Sequence, residues 1–386
     1  MLGVEILAPV NRTGVGMHVQ HLLAELMLAK VARTGTIEPM LTCHGKFNPE
    51  GTGRVVAELV RGCLDDNQKY PQLTVVIDLP VKGRSVLEIA RAKTKVLYTV
   101  FELRDPAQTR VSELRGYDEI WTPSEWGRQV LQEHGWDKTI RVVPEGTNTH
   151  EMPRHLISLQ DPGCTVMSVG KCEKRKGQDL LLDALDMIQG ISVTVRALWN
   201  NPWDEQAAHK LLIDRGWFPT LNDPKACDAW SKNGHVISLM DRVASDTDWQ
   251  AIAMESMCAI FPHRGEGWGI PILDCIGLGV PTFATNASGP TPYLTMYYSG
   301  WPGILKPQLL KMERVNDPVF FPGSEGYWVS PDPQEIADFI VHSHTMSKQG
   351  RRDVATWGRK VGDYFSWEKS AAKFAAACQA AYAEGL

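Results

Sequence analysis

The sequence predicts an α/β protein built of two doubly wound parallel-sheet domains, and three observations lead there. The chain has 386 residues, enough for two or three hydrophobic cores at roughly 150 residues each. Short apolar runs alternate with stretches of helical spacing throughout, the pattern of parallel strands covered by helices on both faces. Two such series flank the Pro- and Gly-bearing segment EGTNTHEMPRHL (145–156). One domain is therefore expected at 1–150 and a second at 151–362, facing a central cleft that takes the ligand at the carboxyl ends of the strands.

In the first series VEILAPV, LTVVIDLP, KVLYTVF and YDEIWTPS read as strands, and IRVVPEG as the strand leaving the domain. Apolar spacing from Met17 to Val31, after a glycine-bearing turn, predicts the first helix. In the second series the strands are TVMSVGK, ISVTVRAL, HVISLM, CAIFPHR and VPTFATN. Residues 363–386 contain the alanine-rich SWEKSAAKFAAACQAAYAEGL, where Ser366 can cap a long terminal helix. That helix is expected to pack back on the amino-terminal domain.

A charged fraction of 22% and a hydrophobic fraction of 43% are those of a folded globular chain, and the formal net charge of -5 provides no basic field to draw in nucleic acid. A local basic groove stays open as an alternative. The opening MLGVEILAPV lacks a basic leader, and no apolar run approaches the roughly 18 residues of a membrane span, so a cytoplasmic location is expected. Eight cysteines without a C-x-x-C pair point to reduced thiols rather than a zinc site or disulfide framework. The thirteen tryptophans are expected mainly in the cores, with base or sugar stacking as their other use.

Three segments carry chemistry. In FPHRGEGWGIPILDCIGLGVPTFATNASGPTPYL (261–294), Glu266 and Asp274 stand eight positions apart and Gly267, Trp268, Gly269 and Ile270 open a helix between them. Free amides and the positive end of a helix dipole make such a start an anion cradle, and the glycines let a phosphate approach the backbone. Counted as helix, eight residues put Asp274 roughly 12 Å further along the same face, so that the two acids could hold opposite ends of an extended ligand. In VMSVGKCEKRKGQDLLLDAL (166–185), Lys171 follows a strand end and Lys176 opens a helix. These ammonium groups either neutralise a leaving diphosphate or belong to a solvated turn. Lys174 and Arg175 are expected to be solvated. In NRTGVGMHVQHLL, Gly14 and Gly16 lack the full G-x-G-x-x-G pattern and make either a bare turn or a donor contact. His18 next to them reads as a helix-surface residue, with reach into the cleft as the alternative.

Together these segments resemble the retaining glycosyltransferases of family four, which have the GT-B fold of two Rossmann-like domains. The resemblance runs in family order through the glycine loop, YTVFE, DEIWTPSEWGRQVLQEHGW, VVPEGTN, SVGKCEKRKG, GEGWGIPILDCIGLGVPTFATNASG and a final SWE helix. It implies that Glu266 contacts the donor sugar, that Asp274 takes the place of a second glutamate at the ribose, and that Lys171 and Lys176 grip the diphosphate. Lysine at the first of those two places keeps the charge but loses bidentate geometry. Where part of the family has a histidine, this chain reads Thr99, Val100, Phe101, Glu102, and a related branch has a similar aromatic-Glu pair. Glu102 is thus a candidate catalytic contact with sugar or acceptor, or else an acid paired with Arg104 or Arg110.

The reaction so implied is transfer of a hexose from a nucleotide-diphosphate sugar, UDP-glucose or a near relative, to a hydroxyl. Retention would follow front-face attack, the leaving phosphate taking the proton. No cofactor or metal is expected, because Asp246-Thr247-Asp248 in ASDTDWQAIAMES reads as the cap and first turn of a helix. The acceptor could be a glycan, lipid, protein or nucleic-acid base. Arg104, Arg110, Arg115, Trp121 and Trp126 are available for it on the amino-terminal domain, and nothing in them selects one class. The alternatives are the same chemistry on a modified DNA base, a sugar-nucleotide epimerase, and a non-catalytic nucleotide-sugar binding protein.

Overall fold

The computed structural model describes residues 1–49, 52–64, 70–79, 86–104, 113–147, 163–220, 229–241, 243, 245–300, 303, 305–315 and 326–385. It contains two compact units, one including Met1–Thr147 and Tyr364–Leu386, the other Asn148–Asp317 and Gly326–Asp363. The Pro-bearing linker expected at 145–156 falls, from residue 148 onward, outside the described residues, as do Arg110 and Cys227.

The described part of the first unit holds β1 (Leu2–Ala8), β2 (Ile37–Cys43), β3 (Leu73–Ile77), β4 (Thr94–Tyr98), β5 (Glu119–Thr122) and β6 (Ile140–Val142). They form one parallel sheet in the order β2-β1-β3-β4-β5-β6. Alternate side chains serve opposite faces, since Ile6, Val75 and Val96 enter one core while their neighbours Leu7, Val76 and Leu97 enter another. Burial on both faces explains why these strands read as continuous apolar runs. Strand β2 was not expected, because IEPMLTC carries Pro39 and mixed polarity. It lies at the sheet edge, where a missing N–H is tolerated. Helix α1 (Gly14–Val31) begins three residues before the expected Met17, with Thr13 as N-cap accepting from the Gly16 amide. Helices α2 (Arg54–Arg61) and α3 (Glu125–Glu133, capped by Ser124) complete the series.

The second unit is built on β7 (Thr165–Val169), β8 (Thr194–Leu198), β9 (Phe218–Pro219), β10 (Ala229–Lys232), β11 (His235–Leu239), β12 (Cys258–Phe261) and β13 (Thr282–Ala284). The order is β13-β12-β7-β8-β11-β10-β9. Five of these strands are parallel, but β10 runs antiparallel to both β11 and β9. This departs from the all-parallel expectation, and its cause is Asn233-Gly234. Both residues have positive φ (51° and 82°) between the paired Lys232 and His235, a two-residue turn whose twist closes a hairpin. Strands β14 (Leu310–Arg314) and β15 (Tyr327–Pro331) form a further antiparallel pair.

The helices of this unit are α4 (Gln178–Met187), α5 (Ala207–Asp214), α6 (Asp246–Met254), α7 (Ile270–Gly277), α8 (Thr291–Gly300), α9 (Pro333–Thr345) and α10 (Lys348–Tyr364). Helix α8 also protects edge strand β13. The hydroxyls of Tyr297 and Tyr298 accept from the amides of Thr282 and Ala284 at 3.1 and 2.9 Å, groups that would otherwise invite another strand. The last helix, α11 (Trp367–Glu384), starts at the expected cap Ser366. It lays Ala371, Phe374, Ala377, Cys378 and Ala381 into the core of the first unit, against α1.

One backbone position joins the two loops that matter below. Gly177, between β7 and α4, has φ +74°, and a Cβ there would lie 2.0 Å from the Pro262 carbonyl oxygen at the end of β12. Gly177→Ala therefore combines a left-handed backbone with an unavoidable clash. It should cost about 2–4 kcal/mol, read as a lowered urea midpoint of the second unit; an unchanged midpoint would refute this packing.

Candidate functional site

The second sheet reverses its strand order at β7. The chain moves from β7 to β8 and out to the edge strand β9, comes back through β10 and β11, then adds β12 on the other side of β7. In doubly wound sheets the loops at the carboxyl ends of such a pair of strands diverge and leave a crevice. After β7 come Gly170, Lys171, Cys172, Glu173 and a tight turn over Lys174–Lys176; after β12 come Pro262 to Gly269 and then α7. A concavity lies there, lined by Ser168, Gly170, Lys176, His263, Glu266 and Gly269 among others.

Charges of alternating sign cross this crevice. Lys171 Nζ lies 3.5 Å from Glu173, whose other oxygen accepts from Arg175 Nη2 at 2.6 Å. Arg175 Nη1 donates to the Gly265 carbonyl at 2.8 Å and lies 3.5 Å from Glu266, which is ion-paired with Lys176. Burial pushes the Glu266 carboxyl upward, but Lys176 and Arg175 outweigh it, and the net result is far below the usual carboxylate range. Its backbone is fixed by the loop after β13, where Ser288 Oγ accepts from the Glu266 amide and the Gly289 amide donates to its carbonyl, both at 3.0 Å. A second buried arginine, Arg264, grips Asp179 of α4 through two bonds of 2.8 Å and Glu313 of β14 at 3.0 Å. Gly269, at φ +86°, caps α7 without a side chain; Pro271 has no N–H and the Ile272 and Leu273 amides donate to the Gly269 carbonyl at 3.0 and 3.2 Å, so of the first four helix residues the Ile270 amide is the one left for an anion.

The structure thus brings Glu266, Lys176, Gly267, Gly269 and Ile270 together around one helix start. Trp268 instead turns into the core, edge-on to Tyr293 at 5.2 Å, and the Tyr293 hydroxyl donates to the Trp268 carbonyl at 2.6 Å. Lys171 stands over the ring of Trp203, 4.4 Å from its centroid. Asp274 is buried in α7, but the two acids are not two turns apart on one helix. Glu266 precedes the helix, which starts at Ile270, so Asp274 is only one turn inside it. The solvated reading of Arg175 is also wrong: at 2% exposure it is bonded on both sides of its guanidinium. Lys174 is exposed as expected. Helix α6 begins at Asp246 with Ser245 as N-cap, accepting from the Asp248 amide at 3.2 Å. Among the described residues no three or more His, Cys, Asp or Glu side chains are grouped to hold a metal ion.

In the first unit, Gly14 is exposed at the first position of α1, while a Cβ on Gly16 would lie 2.4 Å from the Asn11 carbonyl oxygen. Gly16 is therefore demanded by its own turn. Glu102 is half-buried in the loop after β4, and its neighbour Arg104 pairs with Glu133 at 2.5 and 3.0 Å. His18 is not on a helix surface. It is 2% exposed, 3.3 Å from Glu145 and packed against the rings of Tyr98 and Trp367.

His263 had no expected role. It lines the crevice at the first turn after β12, and burial, helped by Lys176 and Arg175 against the pull of Glu266, lowers it to about 3 from the usual 6.5. Its position immediately past a strand's carboxyl end was the available sequence signal. An imidazole that stays neutral when folded but protonates when unfolded gives full stability above pH 6.5 and loses it on acidification toward pH 3. Glu266 adds to that loss only below about pH 4.5, its unfolded value. Thermal unfolding between pH 6.5 and 4.5 should therefore show a stability slope that His263→Phe reduces; an identical slope in the variant would refute the neutral buried state.

No protein-family model matches the chain, and no curated protein matches its sequence. Its structure is similar to several solved ones over nearly their whole length. Anabaena HepE in complex with UDP-glucose shares 14% identity over 98% of this chain and 100% of its own, with a TM-score of 0.61. Sucrose-phosphate synthase from Thermosynechococcus elongatus shares 13% over 100% of both chains, with a TM-score of 0.66. A glycosyltransferase from Rickettsia africae shares 12% over 98% of both, at 0.64. Among the described residues no helix is long and apolar enough to cross a membrane. With two parallel-sheet α/β units and these neighbours, the chain has the GT-B fold of glycosyltransferases.

Proposed function

We propose that the protein transfers a hexose from a nucleotide-diphosphate sugar, UDP-glucose or a close relative, to a hydroxyl acceptor, with retention at the anomeric carbon and without a metal ion. The observation that carries this reading is the pairing of buried Glu266 with the half-buried Lys176 at the start of α7, on the strand-order switch of the second sheet. Breaking the bond from the anomeric carbon to phosphate leaves a diphosphate anion and an electron-poor sugar. Lys176, Lys171 and the amides from Gly267 to Ile270 suit the anion, and the ionised Glu266 suits the sugar. Asp274 is the candidate for the ribose hydroxyls, and Glu102 and the Gly14–Gly16 turn are the candidates contributed by the first unit. The complexes of HepE with UDP and with UDP-glucose support this choice of donor. The motif order supports retention, and a cytoplasmic setting belongs to the same proposal.

The test is a thermal-shift and hydrolysis screen of nucleotide sugars in EDTA, with Glu266→Ala as control. One donor should stabilise the protein and be slowly hydrolysed, and the variant should lose the hydrolysis. A folded protein that answers to no donor, or one active only with Mn2+, would overturn the reading.

A further inference from the structure

His263 is a neutral acceptor built into the crevice for a reason that the charge chain does not explain. Its Nδ1 lies 3.3 Å from the Phe261 carbonyl oxygen, which can only accept, so Nδ1 carries the proton. Nε2 then holds a lone pair. It is buried, and among the described residues it meets no hydrogen-bond partner, although His263 is one of the residues lining the cavity with Glu266 and Lys176. Buried polar atoms without a partner are rare because they cost stability, and a ligand that supplies the missing donor is a physical reason to keep one. Such a ligand group must donate. A phosphate oxygen would meet the lone pair with its own and be repelled, whereas a hydroxyl fits. Lys176 and the Ile270 amide, both donors, cover the complementary need of the diphosphate.

We propose that His263 is a specificity-determining residue whose Nε2 accepts a hydrogen bond from one hydroxyl of the donor's sugar ring. This rests on the donor reading above and deepens it by placing the sugar, not the diphosphate, against the end of β12. Discrimination then follows from chemistry: a site that leaves its acceptor unpaired with a deoxy sugar rejects that sugar strongly.

The experiment compares UDP, UDP-glucose and the four UDP-deoxyglucoses lacking the 2-, 3-, 4- or 6-hydroxyl, with the full-length wild type, His263→Phe and His263→Gln. Binding is read by calorimetry and turnover by hydrolysis. In the wild type one deoxy donor should lose roughly 10²-fold or more in kcat/KM. In His263→Phe, UDP-glucose should fall to the level of that same deoxy donor, the other three should keep their ratios to UDP-glucose, and UDP itself should bind as in the wild type. Glutamine, which retains an acceptor, should restore part of the discrimination. Unchanged UDP binding with equal losses for all five sugars, or with none, overturns the role of His263 alone. Failure of the wild type to bind UDP or UDP-glucose overturns the donor reading, and this inference with it. A His263→Phe variant that no longer binds UDP while His263→Gln keeps the wild-type discrimination also supports the proposal, and loss of UDP binding in both variants refutes it.

Discussion

Replacing Glu266 with glutamine should lower kcat for sugar transfer by roughly 10²–10³-fold while UDP binds at least as tightly as before. The reason is electrostatic competition. In the free protein Lys176 is neutralised by Glu266, so a diphosphate must draw that ammonium away from a carboxylate. Glutamine keeps the shape and removes the competitor, which leaves Lys176 free for phosphate. On the proposed reaction the sugar, by contrast, loses an anion that would offset its developing positive charge. Stability should fall by only about 1–3 kcal/mol, because Arg175 keeps Glu173 at 2.6 Å and the partly exposed Lys176 can reach water. Calorimetry with UDP and steady-state kinetics with the donor found in the screen separate the two effects. A parallel loss of UDP affinity and turnover would mean that Glu266 holds the nucleotide rather than serving the sugar, and full activity would remove it from the reaction.

The second large effect is expected at Arg175→Met, with a loss of about 3–5 kcal/mol. A surface arginine in a basic turn would cost no more than about 0.5 kcal/mol, so the measurement distinguishes sharply between the two environments. Methionine fills much of the arginine stem but strands Glu173, whose remaining cation Lys171 is 3.5 Å away, and frees the Gly265 carbonyl. The loop that carries Glu266 then loses one of its ties to the loop after β7, beside those made by Lys176 and Arg264, and turnover should fall along with stability. Arg175→Lys should not rescue, since one ammonium cannot serve Glu173, Gly265 and Glu266 from the directions a guanidinium fork reaches. Chemical unfolding followed by tryptophan fluorescence gives the stability, and a shift within 0.5 kcal/mol would place Arg175 outside the network.

Much of the architecture could be read from the chain because its causes are local. The strands TVMSV and CAIF are apolar over their full length since both faces are covered, and Ser366 stops one segment and starts the next through its own hydroxyl. The reading failed where a local signal was overlooked or outvoted. Asn233-Gly234 dictates a hairpin that βα alternation does not contain, and Pro39 masks a strand that is tolerable only at an edge. Arg175 and His18 look polar and exposed to any local rule. They are buried because groups 90 and 127 positions further on, the Gly265 carbonyl and the Glu145 carboxylate, lie against them.

The sequence by itself determined the two series of strands and helices, the caps, the glycine-opened helix start at Ile270 and the acidic and basic residue types that gather around it. Those depend on periodicity and backbone freedom, which act over a few residues. Only the tertiary structure decided that β12 returns beside β7. That pairing sets Glu266 against Lys176 and Arg175 and buries His263 in its neutral form. Such properties depend on desolvation and Coulomb interactions between groups distant in the chain, whose strength is set by separation and burial, and neither exists before the sheet is assembled.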